Sequence, residues 1–184
     1  MSERLWILLG AGGEVAAQIV GDDTDRDNPD ALPAIEVDRH GDLAREAWDA
    51  EAGCWVPRLD VLKAEAWERV KARRAESEYG GAETPLGRMD SDPASQGKIN
   101  GLVTMAMLAQ AGGQPFAQPF TMADNQVVEH DAAAMIAAGV AVGRHVAACH
   151  TAARTLREAI EAAATAGELA AIDIETASWP GSAN

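Results

Sequence analysis

Several residue groups in this 184-residue sequence have types and spacings that could do chemistry. Gly10-Ala11-Gly12-Gly13-Glu14-Val15 follows an apolar run, the setting in which a dinucleotide-binding fold uses glycines to bring backbone against a pyrophosphate. That chemistry needs a helix next, then a second buried strand ending in an acid. The chain instead continues into the polar run Asp22 to Asp30, so a hairpin turn is the expectation and a small nucleotide-binding enzyme using Gly10 to Val15 the alternative. Asp23, Asp25 and Asp27 occupy the first, third and fifth places of a calcium-loop pattern, where alternate carboxylates converge on one hard cation. Asn28 stands where the turn glycine belongs and Ala34 where the bidentate Glu belongs, so a solvated acidic loop is expected.

His130, His145 and His150 are spaced by 15 and 5, which does not put two imidazoles on one helical face. Surface or partly buried histidines are expected rather than ligands. Cys54 and Cys149 lack CxxC spacing and read as free thiols, one near a hairpin and one in a helix. Asp90-Ser91-Asp92 has no histidine beside it and no nucleophile-elbow pattern, so it reads as a helix cap. No catalytic residue, cofactor or metal is assigned, and the chain is expected not to be an enzyme.

The elements that would position these groups fall into two stretches. Arg4 to Leu9, Glu14 to Val20 and Pro33 to Val37 read as strands, and Ala47-Trp48-Asp49 can pair with Cys54-Trp55-Val56 across Ala50 to Gly53. Residues 1–58 are therefore expected to form a small antiparallel β module. Leu59, Leu62, Ala66 and Val70 then recur at helical spacing among charged residues, giving a helix over about 59–77. Gly80, Gly81, Pro85 and Gly87 make Tyr79 to Pro93 a loop, and Asp92-Pro93 starts a helix to about Gln110, ended by Gly112-Gly113. Phe116 to Glu129 reads as a Pro-punctuated connection with one short strand.

Asp131 caps a long helix over about 131–164, roughly 50 Å if unbroken. Met135, Val142, Cys149, Leu156 and Ala163 recur every seven residues in it, while Gly139, Val146, Ala153 and Ile160 fall four later in each heptad. A seam kept at this period requires partners along much of its length. The helix from Pro93 to Gln110 can supply about half of them, Gly139 and Ala153 being small enough for close antiparallel packing, and the remainder needs Leu59 to Ser77 or another copy of the chain. Thr165 to Glu168 has the spacing of a capping box that restarts the chain into a helix over about 167–172. Trp179-Pro180 is expected to fold back as an anchor. The fold class is α+β: an N-terminal β module followed by a helical region, 59–184, with one long helix.

The formal charge of −14 argues against a nucleic-acid partner, since only Lys71-Ala72-Arg73-Arg74 could supply a basic patch. No apolar run approaches the roughly 20 residues of a membrane span and the N-terminus lacks signal-peptide order, so synthesis in a cytoplasm without membrane insertion is expected.

From Arg74 to Pro180 the motif order resembles an uncharacterised domain found in tail-fibre and tail-fibre-assembly proteins of tailed bacteriophages. The resemblance runs through Gly80-Gly81, then Thr84-Pro85-Leu86-Gly87-Arg88-Met89-Asp90-Ser91-Asp92, Ser95 and Ile99. It continues through Phe120-Thr121-Met122-Ala123-Asp124-Asn125 and the long helix to Glu168-Leu169-Ala170-Ala171-Ile172-Asp173 and Trp179-Pro180. The resemblance implies a non-enzymatic component of a phage tail tip or fibre, made in the host cytoplasm and then part of the virion. It would associate with itself, as a homotrimer, and with other tail proteins. A tail-fibre assembly chaperone absent from the mature particle is the second reading, because the hairpin-then-helix order from Trp48 to Arg74 resembles such proteins too.

Overall fold

The computed structural model describes residues 4–21, 33–176 and 179–181. It is an α+β chain with two compact units, 1–64 and 65–184, divided within the first helix rather than at residue 58.

In the first unit, β1 (Arg4–Leu9) is the middle strand of an antiparallel sheet, flanked by β2 (Val15–Gly21) and β3 (Ala34–Val37). β1 is paired along both edges, and Trp6 and Ile7, adjacent and therefore on opposite faces, are both buried. β1 and β2 join at the glycine run, where Gly13 takes φ of +83° and the Gly10 N–H bonds the Glu14 carbonyl at 2.8 Å. A second hairpin, β4 (Glu46–Asp49) with β5 (Cys54–Pro57), pairs Trp48 with Trp55 in the expected register. Their rings meet edge to face, centroids 5.5 Å apart, against a small core of Ile7, Leu9 and Val37.

The second unit begins in α1 (Leu59–Tyr79), whose later turns belong to it. The stretch expected to be a loop after it is a hairpin, β6 (Ala82–Thr84) with β7 (Gly87–Met89). Strands of three residues carry too little alternation to read, although both inward residues, Ala82 and Met89, are fully buried. α2 (Pro93–Ala111) starts where expected, the Asp92 carboxylate accepting from the N–H groups of Ala94 and Ser95. The connection after α2 corrects a second expectation, because it forms a full hairpin, β8 (Ala117–Thr121) with β9 (Val127–Asp131). Pro119 breaks the strand pattern in sequence yet is tolerated in a two-stranded ribbon, where each strand has a free edge. The turn closes with Asn125 at φ of 65°, a conformation asparagine accepts more readily than most residues.

α3 (Ala132–Ala162) begins at its expected cap, Asp131 accepting from the Ala134 N–H at 2.8 Å. It packs on α2 and on β6 and closes a core of Met89, Ile99, Ala106, Met122, Met135 and Val142. α4 (Ala166–Ala170) comes after a capping box in which Thr165 accepts from the Glu168 N–H and Glu168 accepts from the Ala164 N–H. The terminal segment does fold back: Trp179 is 3% exposed and its indole N–H bonds the Ile174 carbonyl at 2.9 Å.

One composition-based expectation needs correcting. α3 is long and apolar enough, by length and composition, to cross a membrane, with mean hydropathy 1.5 over an 18-residue window. Alanine is the reason: Ala133, Ala137, Ala147 and Ala148 keep the outward face apolar while leaving little side chain to bury.

Candidate functional site

The groups singled out from sequence are dispersed. The Gly10 to Val15 run is a turn between antiparallel strands, so no helix N-terminus comes after it to hold a phosphate. Asp23, Asp25 and Asp27 lie outside the described residues. Lys71, Arg73 and Arg74 each have a carboxylate beside them, Glu68, Glu76 and Glu78, so the patch is neutralised locally.

The seam residues of α3 face inward. Met135, Val142, Cys149, Ala153, Ile160 and Ala163 are buried, while Gly139, Val146 and Leu156 are half-buried. The α2 helix supplies the first partner: a Cβ on Gly139 would lie 2.5 Å from Val103 Cγ2. Only a glycine lets the helices approach this closely. Most of the seam is therefore buried within the chain, with Val146 and Leu156 left partly exposed, and a trimer built on the buried positions would have to displace that packing.

Beyond α2, the seam meets a polar cluster that sequence spacing missed. Cys149 Sγ lies 3.4 Å from Ser77 Oγ and 3.8 Å from His145 Nε2. A Cys and a His four residues apart on one helix could form a nucleophile and base. Two observations argue against that use. His145 Nε2 is 3.0 Å from the Ser77 carbonyl, which only accepts, so Nε2 carries the proton and cannot take one from the thiol. Burial also pushes the Cys149 thiol up from its ordinary pKa, against thiolate formation. The terminal segment covers the cluster, with Ser77 Oγ donating to the Pro180 carbonyl and Gly181 lying against the His145 ring.

The other histidines are held differently. His130, expected at the surface or partly buried, is fully buried, its Nδ1 2.9 Å from the Val128 carbonyl and its ring edge to face with Phe120. His150 Nε2 is 3.4 Å from the buried Glu78 carboxylate. Among the described residues no three of His, Cys, Asp and Glu converge.

What the fold leaves open is a groove of mixed character beside exposed apolar side chains. A groove of about 630 Å³ lies between α2 and the β8-β9 hairpin, with Gly97, Gly101 and Met105 on one wall and Phe120 and Met122 on the other. Beside it Met105, Met107 and Leu108 are 53%, 57% and 69% exposed, which is unusual for side chains of this size on one short helix. Lys98 is the one charged residue of α2. Asp90, Ser95, Lys98, Thr121 and Asn125 also line the groove, so its wall is mixed, polar groups alternating with the apolar side chains.

The second unit is thus helices and two short hairpins around one core, with exposed apolar side chains on the outward face of α2. Its family is shown by sequence comparison: residues 61–176 match the model of a domain of unknown function (DUF4376), and the chain belongs to that family. The match begins within α1, upstream of the Arg74 start expected from the motifs, and ends before Trp179. No curated protein and no solved structure matches the chain.

Proposed function

We propose that this protein is a structural, non-enzymatic component of a phage tail tip or fibre that works by docking to other tail proteins and to copies of itself. Two supports carry the reading. The motif order from Arg74 to Pro180 resembles domains of tail-fibre and tail-fibre-assembly proteins. The outward face of α2, with Met105, Met107 and Leu108 exposed, costs solubility unless a partner covers it. Because most of the α3 seam is buried within the chain, self-association in this reading uses α2 rather than the seam.

Synthesis takes place in the host cytoplasm and the mature location is the virion tail. The second reading, an assembly chaperone absent from the particle, uses the same surface to hold a fibre protein transiently. Mass spectrometry of purified virions tells them apart. The chain is expected among the particle proteins; its consistent absence, with the chain abundant in infected cells, would overturn the virion assignment in favour of the chaperone.

A further inference from the structure

We infer that α2 is a self-association surface on which a second copy of this chain packs antiparallel about a two-fold axis. The inference rests on the reading of this region as an association module and adds the occupant, the register and the symmetry.

Shape is the first argument. Gly97, Gly101, Met105 and Leu108 succeed one another along the outward stripe of α2, two residues without side chains and then two large exposed ones, spanning about 16 Å. In an antiparallel pair Leu108 of each copy meets Gly97 of the other, and Met105 meets the region of Gly101. Large residues then enter the groove beside the glycines, and the same patch serves both copies, as a two-fold interface demands. These glycines have no reason inside the chain: a Cβ at either would meet no atom within 4 Å, in contrast to Gly139. A glycine in a helix interior is unfavourable relative to alanine. Gly143 shares this open setting, but Gly97 and Gly101 share a stripe with two large exposed apolar side chains, Met105 and Leu108, that a second copy could bring against them.

Charge is the second argument. The chain carries −14, and most approaches of two copies bring carboxylates together. α2 itself has no acidic residue, and the groove beside it holds Asp90 together with Lys98, so the charges of this face offset each other and two copies meet there with little of that repulsion. The two Lys98 residues of an antiparallel pair sit about 14 Å apart along the axis, beyond the Debye length at physiological salt.

A helix pair of this length buries on the order of 1,000 Å² in total, at the low end of the size range for a specific interface. The pairing becomes more effective where copies are already held close, as in a repeated assembly.

Sedimentation of the full chain from roughly 5 to 500 μM tests this. The expected result is a reversible monomer–dimer equilibrium, weakened at least tenfold by Leu108→Glu and by Gly101→Gln. Glutamine is a better helix former than glycine, so Gly101→Gln keeps or raises the melting temperature, and misfolding does not imitate the effect. Val127→Glu, at a residue 66% exposed on the hairpin, serves as a control and should leave dimerisation unchanged. A chain that stays monomeric throughout overturns the inference and assigns the face to a different protein, without touching the virion assignment. A dimer or trimer insensitive to both α2 substitutions overturns it as well.

Discussion

Ser91 does at the scale of one residue what the sequence suggested only for its neighbour Asp92. Its hydroxyl donates to the Glu78 carbonyl at 2.5 Å and accepts from the Gly81 N–H at 3.0 Å, joining the end of α1 to the approach to α2 in a fully buried position. Ser91→Ala leaves both backbone groups unpaired and should lower stability by about 2–4 kcal/mol in urea melts. Thr104→Ala, which loses only an exposed bond to the Asn100 carbonyl, should change it by less than about 0.5 kcal/mol. In the first unit the Arg39 guanidinium, with help from the Asp42 N–H, holds the Glu46 carboxyl at about 2, below its usual value of 4.5. A carboxyl lowered on folding stabilises above its unfolded pKa and loses that effect as pH falls through the folded one. Glu46→Gln should therefore melt below wild type at neutral pH, by a small and salt-dependent margin because the pair is exposed. The difference should close between about pH 4.5 and 2, monitored through Trp48 and Trp55 fluorescence; a gap that persists at pH 2 would assign it to packing.

At the scale of elements, α3 shows how one residue type has opposite meanings on two faces of a helix. Gly139 is pressed against Val103, so Gly139→Val should destabilise by about 2–3 kcal/mol through overpacking. Gly143 faces open space, and Gly143→Ala should raise stability by up to about 1 kcal/mol. Thermal denaturation of the pair checks the sign as well as the size. The long helices and their caps at Asp92 and Asp131 were legible because a 3.6 period and a capping carboxylate are local properties. The β6-β7 and β8-β9 hairpins were not. Their strands are short, Pro119 masks one of them, and their pairing is stabilised by Met89, Met122 and Phe120 packing on helices that lie elsewhere in sequence.

For the molecule as a whole, the C-terminal segment binds the ends of the family domain together. Arg69 pairs with Glu175 at 2.8 Å, Arg73 reaches the Glu175 carbonyl, and Trp179 is buried beyond the region that the family model matches. Trp179→Ala should cost about 3–5 kcal/mol, lowering the transition of the 65–184 unit by roughly 10–20 °C in calorimetry. A change of only a degree or two would show that this segment is a decoration. The sequence alone determined the α+β class, the hairpin nature of the glycine run, the helix starts and the heptad seam of α3, because composition, turn chemistry and periodicity act over a few residues. What the tertiary structure decided is which surfaces are spent. It turned most of the α3 seam inward, with Val103 against Gly139, buried His130 and Cys149, and left Met105 and Leu108 of α2 outside. An apolar stripe looks the same in sequence whether its partner is within the chain or on another copy, and only three-dimensional packing distinguishes the face already satisfied from the one still open.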